Sequence, residues 1–289
     1  MANKKEKLAD NAQLWWIKKD FFLDMAEEPI AGKKAEFLFS TDALSGYGLD
    51  LVFELVQEAG FDGIDLAVWK NFDSLNVNYV KKLSEKHNFP VKVIQTSDNL
   101  NDTEITRAID LCYALGADTI AINAPTFFNM KAFNFITDNI SHWRSEHKDI
   151  HFTIINPEDA NLFALPIPTY HFSNMMEVIR KYLCYLWLDV ANMDAGVLEG
   201  EFMKKLKDFV PYISVVYLSD KNKAGEGHIL PGEGMLKLPV FLGKLKEAGY
   251  HRYISGKIYI TKNELADAER VKMMMKKLRK YLEENYENI

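Results

Sequence analysis

Eight times between Ala35 and the end of the chain, a short apolar run gives way to an amphipathic one. The apolar runs are Glu36–Ser40, 60–68 (GFDGIDLAV), 91–98, 118–125, 151–159, 186–192 (LWLDVAN), 213–220 and 253–260. Apolar residues recur at helical spacing in the segments between them: 49–59, 79–87, 104–115, 133–147, 175–182, 201–209, 238–248 and 264–286. Gly60, Gly116 and Gly249 stand where three of those helices should stop. Strands that alternate with helices form right-handed βαβ units around a parallel sheet. Eight such units in about 250 residues predict an α/β protein of the (β/α)8 TIM-barrel type. An open doubly wound sheet is the alternative, but no glycine-rich dinucleotide turn follows the first strand. The expected organisation is an N-terminal helical extension, residues 1–34, and one barrel domain, residues 35–289.

A chain of 289 residues, 48% hydrophobic, can bury a core of that size. Its net charge of -6 and pI near 5.7 argue against nucleic acid as a partner, which would draw a basic face. No apolar run approaches the roughly 20 residues of a membrane span. Two cysteines, Cys112 and Cys184, make no disulfide framework and suit a reducing compartment, so the expected location is cytoplasmic. In the extension, Leu14, Trp15, Ile17, Phe21, Phe22 and Met25 recur at helical spacing. They read as a cover for the barrel's N-terminal end or as a contact surface, a homodimer included.

Barrel enzymes work at the C-terminal ends of their strands. Those ends carry Ser40-Thr41-Asp42, Asp65, Gln95, Asn123, Asn156 with Glu158, Asp189 with Asn192, Tyr217 with Asp220, and Lys257. The richest of these stretches is Ser214–Gly234, SVVYLSDKNKAGEGHILPGEG. A buried strand runs out there into a polar, glycine-rich loop with Asp220, Glu226, His228 and Glu233.

That stretch resembles strand seven and its loop in the xylose isomerase-like superfamily of sugar-phosphate isomerases, epimerases and type-IV apurinic endonucleases. The family pattern is His-Leu-x-Asp followed by Asp-x-His-x-x-x-Gly-x-Gly. This chain has Tyr217-Leu218-Ser219-Asp220, then Glu226-Gly227-His228 and Gly232-Glu233-Gly234. GFDGIDL (60–66), LGADTIAINAP (115–125) and LWLDVAN extend the resemblance over residues 35–282. It implies a divalent metal held by a strand-five Glu, a strand-six Asp, a strand-seven His and a strand-eight Glu. At those positions stand Ile155, Asp189, Tyr217 and Lys257, so the family's usual metal, and with it any cofactor, is expected to be lost.

Two readings of Lys257 stand side by side. It is a structural counter-charge for a buried Asp189, or it is an electrostatic substitute for the metal beside Tyr217 and His228. A Schiff-base role is less consistent with an adjacent carboxylate, which holds an amine protonated. His228 likewise reads as a loop-ordering residue or as a substrate contact. The resulting expectation is an isomerase or epimerase relative acting by metal-independent proton transfer on a small sugar-like molecule. Asp189, Lys257, Tyr217 and His228 would be catalytic, and Asp65, Gln95, Asn123, Asn156, Glu158, Asn192 and Asp220 would bind substrate. The alternative is a non-catalytic binding or scaffold descendant, in which aromatic side chains such as Tyr217, Trp69 or Phe127 plug the mouth. An abasic-site endonuclease fits poorly, lacking both its metals and a basic face.

Overall fold

The computed structural model describes residues 33–125, 129–156, 183–193, 195–196 and 198–289. The N-terminal extension, the helix expected over 175–182, Glu158 and Phe127 lie outside the described residues.

Eight parallel strands close into a barrel. They are β1 (Glu36–Ser40), β2 (Gly63–Ala67), β3 (Val91–Gln95), β4 (Thr119–Ile122), β5 (His151–Ile155), β6 (Tyr185–Asp189), β7 (Ile213–Leu218) and β10 (Tyr253–Gly256), which pairs with both β7 and β1. Two short strands, β8 (Asp220–Lys221) and β9 (Gly227–Ile229), form an antiparallel hairpin above β7. The described helices are α1 (Leu49–Glu58), α2 (Val77–His87), α3 (Asp102–Leu115), α4 (Met130–Glu146), α5 (Glu201–Phe209), α6 (Leu238–Glu247), α7 (Lys262–Leu265) and α8 (Ala268–Leu282). None of them is long and apolar enough to cross a membrane.

Strand alternation sorts the apolar residues into two layers. One parity, including Phe37, Phe39, Ile64, Ile94 and Val216, packs outward against the helices. The other fills the barrel axis with Leu38, Val93, Ala121, Trp187, Val215 and Tyr217. Gly60, Gly116 and Gly249 have φ of 86°, 69° and 81°, the left-handed turn that frees a chain from a helix end. Cys112 and Cys184 are buried and form no disulfide.

The closing helix differs from the expected continuous segment over 264–286. Thr261 and Glu264 make a reciprocal capping box around α7, and the Asp267 side chain accepts from Arg270 N to start α8 afresh. Two N-caps only six residues apart break a segment whose apolar spacing reads as one helix.

Candidate functional site

The C-terminal rim is built on a buried polar floor. Asp65 lies midway along β2, facing the axis, and is fully buried. Its Oδ1 accepts from Gln95 Nε2 at 2.8 Å and its Oδ2 from Ser255 Oγ at 2.8 Å. Gln95 Nε2 also donates to Ser40 Oγ at 2.8 Å. Asp65 and Gln95, expected to orient substrate hydroxyls, are instead committed to joining β2, β3, β10 and β1 beneath the mouth. Burial pushes the Asp65 carboxyl up to about 6, against the lowering effect of the Tyr217, Gln95 and Ser255 donors and the Lys257 charge.

This shift sets a pH dependence. The native carboxyl holds its proton more tightly than the unfolded one, so its contribution to stability is greatest below about pH 4 and is lost as pH rises through 6. Asp65→Asn is neutral throughout. The stability of the parent relative to this variant should therefore fall by roughly 2–3 kcal/mol between pH 4 and pH 7. Denaturant midpoints at both pH values measure it, and a constant difference would contradict the buried, proton-retaining carboxyl.

Above this floor lies a wall of aromatic rings. Trp187, two residues before Asp189 on the same face of β6, meets Tyr217 edge-on at 4.5 Å and 77°. Tyr217 is fully buried. Its hydroxyl faces Asp65 and Ser40. Burial, reinforced by the Asp65 charge, holds the phenol well above its usual range, so it stays protonated.

Lys257 sits one residue beyond β10 and reaches back over both rings, its Nζ 5.1 Å from the Tyr217 centroid and 5.8 Å from that of Trp187. The ammonium stands 3.8 Å from Asp42 Oδ2 and 3.8 Å from Asp189 Oδ2. Asp189 is fully buried; its Oδ1 accepts from Ala191 N at 3.1 Å, and its Oδ2 has no hydrogen-bond partner. His228, on β9 at a left-handed φ of 60°, contacts Ser219 Oγ through Nδ1 at 3.1 Å and brings Nε2 to 3.8 Å from Asp189 Oδ2. A cleft of about 260 Å³ opens over this cluster, lined by Asp42, Lys70, His228, Lys257, Tyr259 and Leu265 among others. Asp189, Lys257 and His228 thus meet at one point, with Tyr217 directly beneath.

Several remaining rim residues are occupied with backbone. Asn156 clamps β5 to β6, accepting from Asp189 N at 2.6 Å and donating to Asp189 O at 3.0 Å. Asn192 donates to Asn156 O at 2.9 Å, and Asn123 to Thr96 O at 3.2 Å. Asp220, expected to bind substrate, is nearly fully buried and accepts from the backbone N–H of Lys221, Gly232, Gly234 and Leu236. These four side chains position the rim: Asn156 and Asp220 spend both ends of their polar groups on strand ends and loops, and Asn192 and Asn123 their amide nitrogens. Asp42, Lys70 and Trp187 belong to the site without having been singled out as site residues. Trp187 shares Asp189's strand parity, a readable signal; Asp42 sits in a one-turn 3-10 helix (Thr41–Leu44) and Lys70 in a turn, neither with a period.

At the four positions where the family resemblance puts metal ligands, the donor set does not fit a divalent cation. Ile155 has no lone pair, the Lys257 ammonium offers none, and Tyr217 is held as the neutral phenol. Among the described residues no three His, Cys, Asp or Glu side chains converge as a metal group.

A comparison with curated proteins returned no match. Solved structures are similar across the whole barrel. D-allulose 3-epimerase from Methylomonas sp. superposes with a TM-score of 0.62 at 15% identity, covering 88% of this chain and 98% of that one. The IOLI protein with a bound zinc atom gives 0.66 at 16% identity, covering 87% and 99%. An AP endonuclease of family 2 from Brucella melitensis gives 0.59 at 16% identity, covering 78% and 93%. Identities this low establish the fold alone. The family model described as xylose isomerase-like TIM barrel goes further, matching residues 53–279 of the sequence itself. With that match spanning most of a closed eight-stranded parallel barrel, the chain belongs to the xylose isomerase-like TIM barrel family.

Proposed function

We propose that this protein is a sugar isomerase or epimerase relative that moves a proton on a hydroxy-carbonyl compound without a divalent metal. The observation that carries this reading is the Lys257 ammonium, set between the Asp42 and Asp189 carboxylates at 3.8 Å from each and above the Tyr217 ring. Isomerisation and epimerisation beside a carbonyl both need a base for the carbon-bound proton and a positive partner for the oxyanion that develops. Asp189 Oδ2 supplies an uncommitted lone pair for the first task. Lys257 supplies a fixed charge for the second. His228 is the donor that would return a proton, and the Tyr217 ring supports the Lys257 ammonium from beneath. Similarity to D-allulose 3-epimerase and to a 3-keto-D-glucoside 4-epimerase from E. coli supports the substrate class.

Metal content provides the test. Elemental analysis of the purified protein, with calorimetric titration by manganese and zinc, should show no stoichiometric metal and no binding isotherm. A tightly held, stoichiometric ion would overturn the metal-free reading. Exchange of a carbon-bound proton with D2O, followed by NMR over a panel of ketoses and aldoses, tests the chemistry separately.

A second reading has one observation behind it. Tyr217 and Trp187, 0% and 1% exposed, fill the barrel axis directly under the mouth, as aromatic plugs would in a descendant that binds without catalysing. Ligand binding without deuterium exchange would favour it.

A further inference from the structure

Ser219 follows β7 by one residue and keeps the phase of Val215 and Tyr217, which fill the barrel axis. Alternation therefore turns its side chain toward the site, where the residue is fully buried. The chain then reverses through the β8–β9 hairpin and brings His228 back to the same place, so that Ser219 Oγ meets His228 Nδ1 at 3.1 Å. Among the described residues, Ser219 Oγ has no other hydrogen-bond partner.

The imidazole is held at a costly backbone position. His228 has a φ of 60°, a left-handed conformation that residues other than glycine seldom adopt. Its carbonyl accepts from Tyr259 N at 2.6 Å, which pins the backbone. The ring lines the cleft, and its Nε2 lies 3.8 Å from Asp189 Oδ2, a buried oxygen with no hydrogen-bond donor. Rotation about χ2 would exchange a nitrogen for a carbon at each edge of the ring, and the Ser219 contact selects the face that presents Nδ1.

Both contacts favour the same placement of the proton. A neutral imidazole carries one N–H and one lone pair. With the proton on Nδ1, Nε2 would turn its lone pair to the Asp189 carboxylate, and the buried Ser219 O–H would lose its acceptor. With the proton on Nε2, an N–H faces the carboxylate and Nδ1 accepts from Ser219.

We propose that Ser219 is a positioning residue, its hydroxyl donating to His228 Nδ1 and so holding the imidazole proton on Nε2. The catalytic consequence rests on the proton-transfer reading given above. Asp189 takes the proton from carbon, Nε2 gives its own to the developing oxyanion, and Asp189 Oδ2 passes its proton on to Nε2. Carbon loses one proton and oxygen gains one, and both residues end as they began.

NMR of the intact protein labelled with 15N-histidine provides the test, with His228→Gln used to assign the ring. Spectra at about pH 9, above the ordinary imidazole range, should show His228 with a pyrrole-type Nε2 and a pyridine-type Nδ1, the latter displaced by an accepted hydrogen bond. Ser219→Ala should abolish that displacement and bring the second tautomer into the spectrum, whereas Ser219→Thr, which keeps the hydroxyl, should restore the parent pattern. In the D2O exchange assay on ketoses and aldoses, Ser219→Ala should lower kcat by about tenfold or more with KM little changed, and Ser219→Thr should recover most of it. A pyrrole-type Nδ1 in the parent, or a Ser219→Ala spectrum identical to it, would overturn the assignment. If the spectra follow Ser219 and no sugar exchanges, the proton-transfer reading falls and takes the catalytic consequence with it.

Discussion

Replacing Lys257 with methionine is expected to cost about 3–5 kcal/mol of stability, although the substituted side chain is about as long and reaches the surface. The cost comes from what stays behind. Asp189 is fully buried, its Oδ2 has no hydrogen-bond donor, and the groups facing it are the Lys257 ammonium and the His228 imidazole, each at 3.8 Å. At an effective dielectric near 20, an ammonium 3.8 Å from a carboxylate is worth about 4 kcal/mol. Removing it leaves a buried charge uncompensated, which is far more costly than never having had the pair. The double variant Lys257→Met/Asp189→Asn should recover at least half of the loss, because the charge and its counter-charge leave together. Chemical denaturation of the two single variants and the double one closes the cycle. If Lys257→Met costs less than about 1 kcal/mol, Lys257 is an ordinary solvated surface pair and the proposed substitution of amine for metal loses its physical basis.

That lysine marks where the sequence was informative and where it stopped. The barrel was legible because two periodicities alternate eight times, and positive-φ glycines such as Gly60, Gly116 and Gly249 end helices where the apolar spacing ends. Side-chain parity also put Asp189 and Lys257 on the same rim, and they meet across it although β7 lies between their strands. What parity cannot report is whether a polar rim residue is free. Asp65 inside β2, and Gln95, Asn156 and Asp220 at or just past strand ends, all face the right way, yet their polar atoms are used within the chain. Each is bound to a partner at least sixteen positions away in sequence, and such a pairing leaves no local pattern. The split between α7 and α8 was hidden for a different reason. Local capping by Thr261 and Asp267 overrode an apolar repeat that runs on through both helices.

Asp220 should prove the most sensitive residue of the rim to a minimal change. Its two oxygens divide four donors between them: Oδ1 takes Lys221 N and Leu236 N, and Oδ2 takes Gly232 N and Gly234 N. A carboxylate is the only side-chain group of this size with acceptors alone at both ends. Asparagine, the closest isostere, must point its amide N–H2 at one of the two donor pairs whichever way it is turned. Asp220→Asn should therefore cost about 3 kcal/mol or more, scarcely less than Asp220→Ala, with the melting temperature lowered by roughly 10 °C. The neighbouring glycine is fitted to the same arrangement, since a Cβ on Gly234 would overlap both the Asp220 carboxylate and the Lys221 carbonyl. Gly234→Ala should reproduce the loss by expelling the carboxylate from its nest. The consequence reaches the site through the hairpin: Asp220 pairs with Ile229, next to His228, whose carbonyl also accepts from Tyr259 N at 2.6 Å. Loosening this turn should release His228 from its station beside Asp189, so hydrogen exchange should rise over residues 220–236 and any deuterium exchange into substrate should fall with it. If Asp220→Asn melts within about 1 °C of the parent, the turn is held by its own backbone and Asp220 returns to the pool of candidate substrate ligands.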